Sequence, residues 1–188
     1  MQQLDITTSR VLRLDKAGLP LGWLSWEEAA VLWVKNQVIW HLGSGYGVLR
    51  GGVNRMGRRS CLKLPSIIAT DGQVRPENHK IASLTNRMLF RRDRNMCLYC
   101  GRLFAESQLT RDHIIAKSIG GDDWWTNLAT ACRRCNQRKG AQSLEQAKMT
   151  LLAVPFVPNP NEYMVLANRH ILADQMAFLQ TGFSKLAM

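Results

Sequence analysis

Four cysteines stand in two C-x-x-C pairs, Cys97 with Cys100 and Cys132 with Cys135. Each such pair bends the backbone into a knuckle that aims two thiolates at one point, and two knuckles complete the tetrahedron that zinc prefers. With every ligand a protein thiolate and no position left open, one zinc ion per chain is expected in a structural role. A redox dithiol is the competing reading, but no βαβ pattern surrounds either pair. The 31 residues between Cys100 and Cys132 exceed the usual ribbon spacing, so the insert must form a compact unit of its own. That insert carries Asp112 beside His113, then Asn127, and Asn136 follows the last cysteine directly.

Taken together, Asp112-His113-Ile114-Ile115, Gly120-Gly121, Trp125-Thr126-Asn127-Leu128 and Cys135-Asn136-Gln137-Arg138-Lys139-Gly140 resemble the HNH endonuclease family, the ββα-metal or His-Me finger nucleases. The resemblance covers about Arg87 to Gly140, under a third of the chain. It is strongest to the zinc-clasped bacterial group that includes methylcytosine-directed restriction nucleases. It implies hydrolysis of DNA phosphodiester bonds, leaving 5'-phosphate and 3'-hydroxyl ends. His113 is then the general base, since a neutral imidazole with a pKa near about 6.5 can take a proton from water at neutral pH. Asp112 and the Asn136 side-chain oxygen would hold a divalent ion, while Asn127 pins the loop that orients His113. Asparagine stands at position 136 where the family's name has histidine, and an oxygen ligand favours Mg2+ or Mn2+ over softer metals. The alternatives are a catalytically idle zinc knuckle that only binds nucleic acid, and a nuclease directed at RNA.

The expected fold class is α+β: a ββα-metal finger with its zinc clasp, a small N-terminal α/β region and a C-terminal helix. Three regions are expected, residues 1–80, 81–152 and 153–188. Ser25 and Glu28 form a capping box that predicts a helix over 26–37. Residues 11–14, 38–41 and 62–68 read as strands, and the glycine-rich stretch 43–59 as a mobile basic loop reaching along DNA. Residues 71–80 look like a linker, and Ser83 or Thr85 caps a helix through Arg92. Strand 109–115, a return through 124–129 and a helix over 135–140 follow. Ser143 and Gln146 predict a helix to about 152, and a final helix is expected over 161–180. Trp124 and Trp125 are expected in the core, and Cys61 as a buried thiol.

The chain of 188 residues carries a formal net charge of +11. Residues 1–80 hold 11 basic and 6 acidic side chains, residues 81–140 hold 11 and 5, and residues 141–188 hold 3 and 3. A polycation with a neutral C-terminal part suits a phosphate backbone, and double-stranded DNA is the expected partner. Arg133, Arg134, Arg138 and Lys139 are the candidate phosphate clamps, joined by Arg87, Arg91, Arg55, Arg58 and Arg59. An odd count of five cysteines fits poorly with a disulfide framework, and no apolar run approaches a membrane span, so a reducing cytoplasm is expected. One such site cuts one strand. Leu172, Met176, Leu179, Phe183 and Leu186 form a stripe that either packs on its own domain or joins two copies as a homodimer.

Overall fold

A computed structural model describes residues 2–72 and 84–184. Ser83, Leu186 and most of the expected linker lie outside the described residues. The protein is a mixed α+β chain of two compact units, Met1–Lys80 with Asn159–Met188, and Ile81–Pro158.

The first unit is built on a five-stranded sheet of β1 (Gln2–Gln3), β2 (Val11–Leu14), β3 (Pro20–Leu24), β4 (Val38–Val53) and β5 (Arg59–Thr70), in the order β1-β4-β5-β2-β3. Alternation along the strands sends neighbouring side chains to opposite faces. Val11, Leu64 and Ile68 pack with Trp26 and Ala29 of helix α1 (Trp26–Val34). Leu12, Leu14, Ile67 and Ala69 face Met164 and Leu179 from α4 (Pro160–Ala167) and α5 (Ala173–Gln180). The fully buried Gln175 amide ties α5 to the sheet, donating to the carbonyls of Arg10 (2.7 Å) and Ser66 (2.8 Å).

Several expectations are corrected here. The stretch 43–59 is no loop but the body of a long β4–β5 hairpin, because β5 supplies a ladder to glycines with little strand preference of their own. Cys61 lies in that hairpin and is exposed, not buried. The single C-terminal helix is two, separated by extended backbone at Asn168 and Leu172. Of its apolar stripe, Leu179 is fully buried and Phe183 packs against the same core.

In the second unit, Thr85 caps α2 (Asn86–Arg92), its hydroxyl accepting from the Met88 amide at 3.3 Å. Strands β6 (Leu109–His113) and β7 (Leu128–Cys132) pair antiparallel, from Leu109 opposite Cys132 to His113 opposite Leu128. Helix α3 (Arg133–Lys139) follows at once. The expected helix over 143–152 stops after one turn: Ser143 and Gln146 do exchange capping bonds, but Lys148 turns left-handed at φ 51°. Trp125 is fully buried while Trp124 is exposed. Arg92 locks this unit together from inside, with its side chain 0% exposed. It forks onto Asp93 and donates to the carbonyls of Trp125, Leu128 and Phe156.

Candidate active site and zinc centre

Cys97 and Cys100 sit on a tight turn closed by Gly101 N–H to Cys97 O (2.9 Å) and Cys97 N–H to Arg102 O (2.9 Å). Cys132 ends β7 and caps α3, which places Cys135 in that helix's first turn. All four sulfurs lie within 4.8 Å of one another. Zinc–sulfur bonds of about 2.3 Å require thiolates about 3.8 Å apart, so the group fits a tetrahedral zinc with small adjustments.

Strand alternation divides the neighbouring Asp112 and His113. Asp112 is buried at 3% exposure. One of its oxygens accepts from the Tyr99 hydroxyl and the other faces the Lys139 ammonium at 3.3 Å. Burial, and then the bond to Asp112, hold the Tyr99 phenol well above its usual range, so it stays protonated and donates. Lys139 is itself fully buried and also donates to His113 O at 2.6 Å. The structure thus corrects its expected place among the phosphate clamps, because its ammonium is spent on the hairpin that it braces. From the middle of α3, Asn136 donates through Nδ2 to Thr110 Oγ1 (2.9 Å) and Arg111 O (3.1 Å), leaving Oδ1 as its acceptor.

His113 is partly open, with a side-chain exposure of 20%, and its Nε2 lies 2.8 Å from Asp123 Oδ1. Asp123 also meets Arg111 at 3.2 Å and the Lys117 ammonium. Bonds from Lys117 and then His113 hold the Asp123 carboxyl well below the usual range. Sequence reasoning passed over Asp123, since only the fold of the intervening loop brings it to the imidazole. Asn127 shapes that loop. Its Oδ1 accepts from Ile115 N (2.9 Å), and its Nδ2 donates to Ile115 O (3.1 Å) and Asp122 O (2.9 Å). Both glycines of the loop are required. Gly120 turns left-handed at φ 92°, and a Cβ on Gly121 would fall 1.8 Å from Ile115 O.

Arg133, Arg134 and Arg138 line a cleft of about 740 Å³ beside the cysteines, with Arg102 and Phe104. Arg133 also donates to Ser107 O at 3.1 Å. Arg87 is exposed and 3.9 Å from Glu106, and Arg91 is half-buried on α2. Arg55, Arg58 and Arg59 belong to the first unit, where all three are exposed on the hairpin. Among the described residues no helix is long and apolar enough to cross a membrane.

No curated protein matches the chain. The stretch that holds the four thiols, the Asp112–His113 pair and Asn136 does match a family model, over residues 97–152, and that family is described as HNH endonuclease. Over residues 97–152 the chain is thus similar to the HNH endonucleases.

Proposed function

We propose that the protein is a metal-dependent endonuclease that hydrolyses phosphodiester bonds in double-stranded DNA, with His113 as general base. The observation that carries this reading is the His113–Asp123 contact at 2.8 Å, inside a stretch matching HNH endonucleases. With Nε2–H donated to the Asp123 carboxylate, the neutral imidazole keeps its Nδ1 lone pair for the proton of an attacking water. The same carboxylate stabilises the imidazolium once that proton has been taken up. Asn127, by fixing the loop between residues 114 and 122, sets where both partners stand.

Cys97, Cys100, Cys132 and Cys135 hold one structural zinc that clamps the end of β7 to the first knuckle. Asp112 and Asn136 Oδ1 would supply the oxygen ligands of a divalent ion, and their hardness suits Mg2+ or Mn2+. Such an ion, when bound, stabilises charge on the scissile phosphate and the departing 3'-oxygen. Tyr99 and Lys139 hold Asp112 in place, using only part of its lone-pair capacity. Arg133, Arg134 and Arg138 hold flanking phosphates by charge-assisted hydrogen bonds.

Supercoiled plasmid, methylated and unmethylated, incubated with purified protein in Mg2+ or EDTA tests the reading. Metal-dependent nicks or breaks that ligase reseals are expected. Intact plasmid in every condition, with DNA still bound, would leave only the idle zinc knuckle.

A further inference from the structure

Residues 50 to 61 are exposed without exception, on both strands and both faces of the β4–β5 hairpin. Among the described residues, strand β1 reaches β4 only at Gly45 and Tyr46, and β2 reaches β5 only at Ile67 to Ala69. Beyond the Arg50–Cys61 pair the hairpin is therefore a two-stranded ribbon standing clear of the sheet. Its tip is firmly built. Asn54 Oδ1 accepts from the amides of Met56 (3.0 Å) and Arg58 (2.9 Å), and Asn54 N–H donates to Arg58 O at 2.8 Å. Arg50, Arg55, Arg58, Arg59 and Lys63 occupy residues 50–63 with no acidic residue among them. At the end stand Val53, 62% exposed, and Met56, 83% exposed.

A basic ribbon with an apolar tip matches a polyanion whose interior is uncharged. We infer that this ribbon enters the major groove of duplex DNA, with its arginines on the flanking phosphates and Met56 against the base edges. The inference rests on the nuclease reading for the identity of the nucleic acid. Dimensions favour the major groove: strands about 4.8 Å apart with their side chains fill a groove about 12 Å wide but not one about 6 Å wide. Across a bulge, Arg50 to Val53 spans the two steps from Cys61 to Arg59, so with one further step Asn54 stands about 10 Å out, which reaches the floor of a groove about 8.5 Å deep. The deep, narrow major groove of A-form RNA does not admit such a ribbon.

The test uses the full chain carrying His113→Ala, so that binding is read without cutting, and a mixed-sequence DNA duplex in a salt titration. Adding Arg55→Ala and Arg58→Ala should make the log–log slope shallower by about 2, at about 0.9 for each phosphate no longer neutralised. Met56→Ser should weaken binding and leave the slope alone. Methylating guanine N7, in the major groove, should interfere with binding, and methylating adenine N3, in the minor groove, should not. An unchanged slope, interference from the minor groove alone, equal arm-dependent binding of duplex RNA, or no duplex binding by the parent chain each overturns the inference. Capture of an acidic protein by the arginine-bearing tip, with DNA binding unaffected by its removal, does so too. Cleavage by the wild-type chain is scored separately. Arm-dependent binding without cutting would sink the nuclease reading alone, and cutting with arm-independent binding would sink the arm alone.

Discussion

Replacing Arg92 with methionine removes a guanidinium while keeping most of its apolar stem, in a position where nothing is exposed to water. The loss strips Asp93 of its forked partner at 2.8 and 3.1 Å, and leaves the carbonyls of Trp125, Leu128 and Phe156 short of a donor. Breaking one side of a buried ion pair costs about 3–5 kcal/mol, and each buried polar group left unpaired adds about 1–3 kcal/mol before relaxation. These terms are not additive, so at least about 3 kcal/mol is expected, a large share of the roughly 5–15 kcal/mol that holds a domain folded. Asp93 also accepts from the Thr130 amide in β7 at 2.9 Å, so the damage reaches the strand that leads to the second knuckle. Urea denaturation of the zinc-loaded chain, followed through Trp125, should show the loss as a lower midpoint. Arg92→Lys should recover part of it, because an ammonium keeps the charge but cannot fork across the same acceptors. A loss below about 1 kcal/mol for Arg92→Met would refute the assignment of Arg92 as the internal lock of this unit.

Cys97→Ser or Cys135→Ser should abolish binding of the one zinc per chain, as elemental analysis reads it, and open residues 84–158 to proteolysis. Asp112→Ala should lose activity and also about 3–5 kcal/mol of stability, since Lys139 is left buried without its counter-charge; a variant as stable as wild type would remove Asp112 from that role. Asp123→Ala should slow single-turnover cleavage by about 10- to 100-fold, the range for an orienting partner of an imidazole, with duplex affinity little changed. Sedimentation with and without duplex reads the oligomeric state: concerted cutting of both strands calls for a two-fold dimer on DNA, and a monomer that nicks each strand independently would contradict it.

Local chemistry was legible in the residues alone. The two cysteine knuckles declare themselves by spacing, and the structure gathers their sulfurs within 4.8 Å. The same holds for β2, whose apolar alternation marks it from residue 11 to 14. What stayed hidden depends on partners distant in sequence. The glycine-rich part of β4, from Gly43 on, carries no strand signal until β5 lies beside it. Asp123 meets His113 only because Gly120, Gly121 and Asn127 fold the loop between them, a geometry that no periodicity encodes. Ser143 reads as a helix start, and its capping bonds form, but a left-handed Lys148 ends the turn at once. Lys139 looks like a surface cation in sequence and is instead fully buried, since the far side of α3 faces Asp112 and the backbone of His113.

Cleavage, on this reading, turns on His113. Single-turnover cleavage of duplex DNA in Mg2+ by wild type and by His113→Ala, with zinc content and duplex affinity measured on the same samples, tests it most directly. A general base is worth about 10²- to 10⁴-fold. The expected result is a rate at least about a hundredfold lower in His113→Ala, with zinc and affinity unchanged. Cleavage by His113→Ala at more than about a hundredth of the wild-type rate would contradict the assigned chemistry.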